Sequence, residues 1–192
     1  MNLSIDRKYF AALLVTAPHH DIRYYLNGIH FDGSSEGRML YVSADGRRMS
    51  VYRGSATDSH GTGIIPYDFC VWALRLQKKG ILAFTVADGI ITHDISGLRS
   101  PLIDAKFVDW RKALPVKCSG EVAQFNPDYI QALGKQSTLL LGPRSPIGPI
   151  IAHNGNHGAL VTFPTEEDFF GVVMPVMTDP IPTSAPQWAI NV

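Results

Sequence analysis

The chain has 192 residues, of which 45% are hydrophobic, and its 17 Lys plus Arg balance 17 Asp plus Glu. That length supports one large domain or two small ones with a buried core. Net neutrality excludes nucleic-acid binding by bulk positive charge, so any such role must come from where the charges sit. The two cysteines, Cys70 and Cys118, are too few for a disulfide scaffold and fit a reducing compartment. Arg7 and Lys8 interrupt the apolar run that an amino-terminal signal would need, and no stretch approaches membrane-spanning length. The expectation is a cytoplasmic protein with no membrane partner.

A strand, a helix and two or three further strands recur at a period of roughly 60 residues. The first copy opens with MNLSI, places Asp6 as an N-cap, and continues as a helix from Arg7 to about Val15 with Phe10, Leu13 and Leu14 on one face. IRYYLNGIHF, RMLYVSA and RRMSVYRG then read as strands separated by Gly and Asp turn signals. The second copy has GTGII as a strand and Pro66 at a helix start. Its helix, YDFCVWALRLQKK, stops at Gly80 and turns Phe69, Trp72, Ala73 and Leu76 toward a sheet. Asp88-Gly89 sits between two apolar runs, the signal of a tight hairpin. The third copy sets EVAQF as a strand, Asn126 as N-cap, Pro127 at the first helical position and DYIQALGKQ as a short helix. STLLLG, PIIAHNG and FFGVVMPVM follow as strands.

Helices that bury one stripe and sheets that bury one face predict a two-layer α+β packing of antiparallel sheets with helices on one side. Residues 1–117 make one full domain of two half-modules. Residues 118–177 form a lone half-module that must cover its apolar faces on the first domain or on another subunit, and residues 178–192 form an extended tail.

The histidines do not point to chemistry. His153 and His157 are separated by Asn154, Gly155 and Asn156, a turn rather than a helix that would align two ligands, and His19, His20 and Asp21 form no recognisable metal spacing. No Gly-rich phosphate loop, Ser elbow or activated Cys is present. The reading is of a non-enzyme with no catalytic residues, no metal and no cofactor.

Two strings carry a family resemblance. DIRYYLNGIHF and VSADGRRMSV resemble the middle domain of the bacterial replicative sliding clamp, the β subunit of DNA polymerase III. GIIPYDFCVWALRL is similar to that domain's second helix, FVDWRKALP to its closing segment and FFGVVMPV to the clamp's carboxyl terminus, all in family order. The resemblance implies the DNA-clamp fold, with one and a half domains where a usual subunit has three. The chain departs from the family at Arg47, where His is more usual, at Val108, where Pro is usual, and in the added tail.

By resemblance, helices line a central hole and offer cations to the phosphates of duplex DNA without reading sequence; Arg7, Lys8, Arg75, Lys78, Lys79 and Lys135 would serve here. The resemblance also implies an apolar groove for peptides of polymerases and clamp loaders. Carried over, it would be lined by Arg23, Leu26, Ala44, Gly46, Arg47, Arg48, Met49, Val108, Lys112, Ala113, Val172, Met174, Pro175 and Val176. In the tail, Gln187 with Trp188 and Ile190 offers a Gln beside apolar anchors, similar to such a peptide. The implied function is a clamp or clamp-like processivity factor acting as a homo-oligomer: four chains, or two whose third copies pair. The alternative is an interaction protein that does not encircle DNA and sequesters clamp-binding peptides or associates with a host clamp.

Overall fold

The computed structural model describes residues 1–33, 37–56, 60–177 and 184–185. The tail residues Gln187, Trp188 and Ile190 lie outside the described residues. β1 (Asn2–Asp6) leads into α1 (Arg7–Leu14), where the Asp6 carboxylate accepts from the Lys8 amide and caps the helix. A short 3-10 turn at Tyr24–Leu26 precedes β2 (Gly28–Asp32), so the long first strand expected from IRYYLNGIHF is broken at its start. β3 (Arg38–Ala44) and β4 (Arg48–Ala56) follow as a hairpin, then β5 (Thr62–Pro66) and α2 (Tyr67–Leu76). β6 (Ile81–Ala87) and β7 (Ile90–His93) flank the Asp88-Gly89 turn, whose φ values of 52° and 72° suit a tight hairpin; β8 (Arg99–Pro101) was not foreseen.

In the third copy two expectations are corrected. EVAQF forms no strand, only an isolated bridge from Gln124 to Val176. STLLL belongs to α3 (Pro127–Leu141), because Leu133, Gln136, Ser137 and Leu140 continue one buried stripe at helical spacing. Asn126 caps α3 through the Asp128 amide, with Pro127 at its first turn, as the sequence predicts. β9 (Ile150–Ala152), β10 (Ala159–Thr162) and β11 (Phe169–Val173) complete the chain.

The strands form two antiparallel sheets, β1-β6-β7-β8 and β5-β2-β3-β4-β11-β10-β9. In the second, β11 pairs with β4 from Phe169↔Tyr52 to Val173↔Arg48, while α3 packs on α1. The third half-module therefore covers its apolar face on the first, one of the two arrangements left open by the sequence. Strand alternation divides this sheet between two cores. Tyr41, Tyr52, Phe169 and Val173 face the helices, whereas Val42, Val51 and Val172 face a smaller cluster capped by Phe107 and Trp110. On α2 the buried face is Phe69, Cys70 and Ala73; Trp72 and Leu76, expected to be turned inward, are 51% and 53% exposed. The compact Cys70 takes the inner position, and the Arg75 guanidinium lies 5.0 Å from the Trp72 ring centroid on the outer side.

Candidate partner-binding groove

Three remote parts of the chain meet on the face of the large sheet opposite the helices. The first is the turn between β3 and β4. Asp45 Oδ1 accepts from the Arg47 and Arg48 amides, and Asp45 Oδ2 from Arg48 Nε at 2.8 Å, which folds the turn tightly. Gly46 is needed at its tip. Its φ is +82°, and a Cβ there would collide with the Arg23 guanidinium.

The second part is the closing segment around the 3-10 turn Trp110–Ala113. It is pinned across the sheet by the Phe107 ring stacked on His30 with centroids 4.6 Å apart, by the Ile103 amide bonded to the Ile64 carbonyl at 3.0 Å, and by Arg111 3.7 Å from Asp32. Burial lowers the pKa of His30, so the stacked ring is held neutral near neutrality. The third part is the end of β11, where the Met174 amide donates to the Arg47 carbonyl at 2.8 Å and ties the carboxyl-terminal strand to the turn.

Between these parts lies a cavity of about 330 Å³. Ala44, Met49, Val172 and Trp110 form its buried floor, each 4–7% exposed. Gly46, Arg47, Arg48, Val108, Asp109, Lys112, Ala113 and Met174 complete the wall and rim. An apolar floor with a charged rim can seat aliphatic or aromatic side chains while the rim orients their backbone.

Four residues singled out from the sequence do not line the cavity. Leu26 lies beneath it, 2% exposed, in the cluster that supports the floor. Arg23 braces the turn from outside, donating to Asp21 at 2.6 Å and to the Asp45 carbonyl at 2.9 Å. The bonds from the Arg23 side chain, and then from its amide, hold the Asp21 carboxyl at about 2. Pro175 and Val176 run past the cavity, with the Val176 amide bonded to the Gln124 carbonyl. Sequence reasoning missed Trp110 and Asp109, although both lie inside FVDWRKALP; a buried Trp between charged neighbours was the available signal.

The cations expected on the helices fall into two groups. Arg7 donates to the Gln77 and Leu74 carbonyls, closing the end of α2, and Lys8 pairs with Glu166 at 2.7 Å. Arg75, Lys78, Lys79 and Lys135 are exposed. α1 itself is flanked by α2 and α3 and presents no exposed residue. His19 bonds Asp68 at 2.9 Å, and His153 accepts from the Ala123 amide at 3.0 Å. Among the described residues no group of three His, Cys, Asp or Glu could hold a metal ion, and no helix is long and apolar enough to cross a membrane.

No family model matches the chain. In sequence it is 28% identical over 116 residues to the β sliding clamp of Escherichia coli (strain K12), a match covering 57% of this chain and 31% of that one. Against the Proteus mirabilis β sliding clamp it is 28% identical over 105 residues, covering 50% and 28%. Among solved structures, Caulobacter crescentus pol III beta superposes with a TM-score of 0.69 at 16% identity, covering 92% of this chain and 66% of that chain. The Pseudomonas aeruginosa DNA polymerase sliding clamp gives 0.67 at 19% identity, covering 93% and 66%. The protein is thus an α+β protein of the DNA-clamp fold. Within that class its sequence is similar to the bacterial β sliding clamps, and the match spans about a third of the length of those curated relatives.

Proposed function

We propose that the chain is a non-enzymatic, cytoplasmic sliding clamp or clamp-like processivity factor that encircles duplex DNA as an oligomer and docks polymerase and loader peptides in the groove. In this reading residues 1–117 act as a full domain and residues 118–177 as a half-module. Exposed Arg75, Lys78, Lys79 and Lys135 would meet the phosphates. Such contacts need only be weak, since the grip of a ring is topological. The observation that supports the reading is the apolar cavity built by the β3–β4 turn, the closing segment and the end of β11, three of the four segments whose resemblance to the clamp family implied a groove.

The test is a titration with a labelled peptide carrying adjacent Leu and Phe anchors. Met174→Ala, at the half-buried rim, is expected to weaken binding about tenfold by removing one anchor contact. Equal binding by the variant and the parent would remove the groove from the proposal.

The second reading, a non-encircling interaction protein, is favoured by one observation: Arg7 and Lys8 are engaged by groups of the chain itself, which thins the cationic surface of the helices. Both readings share the groove but differ on DNA. Retention on closed circular duplex with loss after linearisation is expected of the encircling form, and binding to neither of the other.

A further inference from the structure

The half-modules are built alike, and the first two complete each other. Their helices start at equally spaced caps, Asp6, Pro66 and Asn126. In the first domain each leading strand crosses to the other half-module and pairs antiparallel with the first strand after its helix, β1 with β6 and β5 with β2. The residue before each cap thereby meets a core residue: Ile5 lies opposite Leu82 and Ile65 opposite Ile29, all four buried. The third half-module has neither part of this exchange. Its leading segment, residues 121–125, forms no strand, makes a single bridge from Gln124 to Val176 and leaves Val122 exposed. β9, the first strand after α3, ends the seven-stranded sheet, and among the described residues nothing pairs with its outer side. The other sheet ends are guarded. β5 is covered by the Ile103 amide on the Ile64 carbonyl, and β8 carries Arg99 and Pro101, whereas β9 has no charge and exposes Ile150. α3 is open in the same way: Ala132 and Lys135 border Val15 beside α1, while Ile130 on the opposite flank is exposed.

We infer that two copies of this chain join through their third half-modules by exchanging leading segments, residues 121–125 of each adding an antiparallel strand to β9 of the other. The partner is a second copy because the half-module lacks a receiver for its own strand and a donor for its edge at once, and an identical half-module supplies both. The pair then forms one domain about a two-fold axis, repeating between chains the exchange that the first domain makes within one. The same register sets Phe125 of one copy opposite Ile151 of the other, and Gln124 opposite Ile150. Ile151 already packs on the core, as Leu82 and Ile29 do. Each α3 also gains the companion helix that α1 and α2 give one another. This contact supplies a joint for the oligomer of the proposed function but uses neither the groove nor DNA, so failure of those tests leaves it standing.

The experiment is sedimentation velocity on the intact chain at micromolar concentration, followed by site-directed crosslinking. The parent should run as a dimer. Ile150→Lys and Val122→Lys change side chains already exposed in the single chain, so the fold should survive while the dimer dissociation constant rises about tenfold in each. Ile95→Lys, exposed in the turn after β7, should leave it unchanged. Oxidation of a mixture of Gln124→Cys chains and Ile150→Cys chains, both also carrying Cys118→Ser, should link the two on a non-reducing gel, and either alone should stay unlinked. A monomeric parent overturns the inference, as does a dimer indifferent to both lysines or a mixture that fails to crosslink. A monomer that dimerises once residues 178–192 are deleted assigns the β9 edge to the chain's own tail and overturns it as well.

Discussion

Gln136→Ala should lower the free energy of unfolding by about 3 kcal/mol in urea denaturation, because it breaks a buried polar junction and leaves a hole where it stood. Gln136 is 1% exposed on α3. The two N–H groups of its amide are shared among three acceptors, the Ala12 carbonyl at 2.9 Å, Thr16 Oγ1 at 3.1 Å and Ser50 Oγ at 2.8 Å; Thr16 and Ser50 are themselves 2.8 Å apart. One side chain thus ties the third half-module to α1 and β4 of the first. Without it, Thr16 and Ser50 keep only each other in a site closed to water. Protection against hydrogen exchange should fall first across residues 127–141. Gln131→Ala, on the exposed face of the same helix, should change stability by less than about 0.5 kcal/mol. A similarly small effect at Gln136 would show that the junction contributes nothing to holding the two parts together.

Glu166→Ala should cost about 2 kcal/mol and alter the alkaline limb of stability. Glu166, 8% exposed, receives Lys8 Nζ at 2.7 Å and the Tyr9 hydroxyl at 2.6 Å, so it fastens the loop between β10 and β11 to the start of α1. Lys8 is 36% exposed and regains water when its partner is removed, which keeps the loss below that of a fully buried pair. Burial first, and then the bond and charge of Glu166, push the Tyr9 phenol above its ordinary 10.0. Burial likewise raises Tyr41, and raises Tyr52 to about 12. A pKa raised on folding means the neutral phenol is favoured in the fold. Its stabilisation is complete below pH 10 and is lost as pH climbs through the folded value. The parent should therefore weaken progressively above pH 10. In the Ala variant, ultraviolet titration should find Tyr9 ionising at lower pH than in the parent; an unmoved Tyr9 would show that Glu166 does not control that phenol.

How far the fold could be read from sequence depended on whether the deciding interaction was local. Asp6, Asn126 with Pro127, and Asp88-Gly89 announce helix starts and a hairpin because cap and turn chemistry acts within a few residues. STLLL misled because Thr and Leu suit strand and helix alike; burial of Leu140 against partners far along the chain decided for helix. Trp72 misled because size suggested a core anchor, while the small Cys70 fills that place. At the groove, the strings resembling the clamp family marked most of the lining. Nothing in them could show that Leu26 would sink below the floor, that Arg23 would brace the turn, or that Arg7 and Lys8 would be taken up by Gln77, Leu74 and Glu166 of the same chain. Those outcomes depend on non-local packing.

The pairing of β4 with β11 also sets a timetable for biosynthesis. The turn that carries Arg47 leaves the ribosome well before the strand that closes its cavity. Until that strand emerges, Val42, Val51 and Met49 lack the neighbour Val172, and the nascent chain carries an open, sticky sheet edge. The cavity is therefore complete only once residues 169–174 have emerged, and nascent chains still lacking them should be clients of holding chaperones.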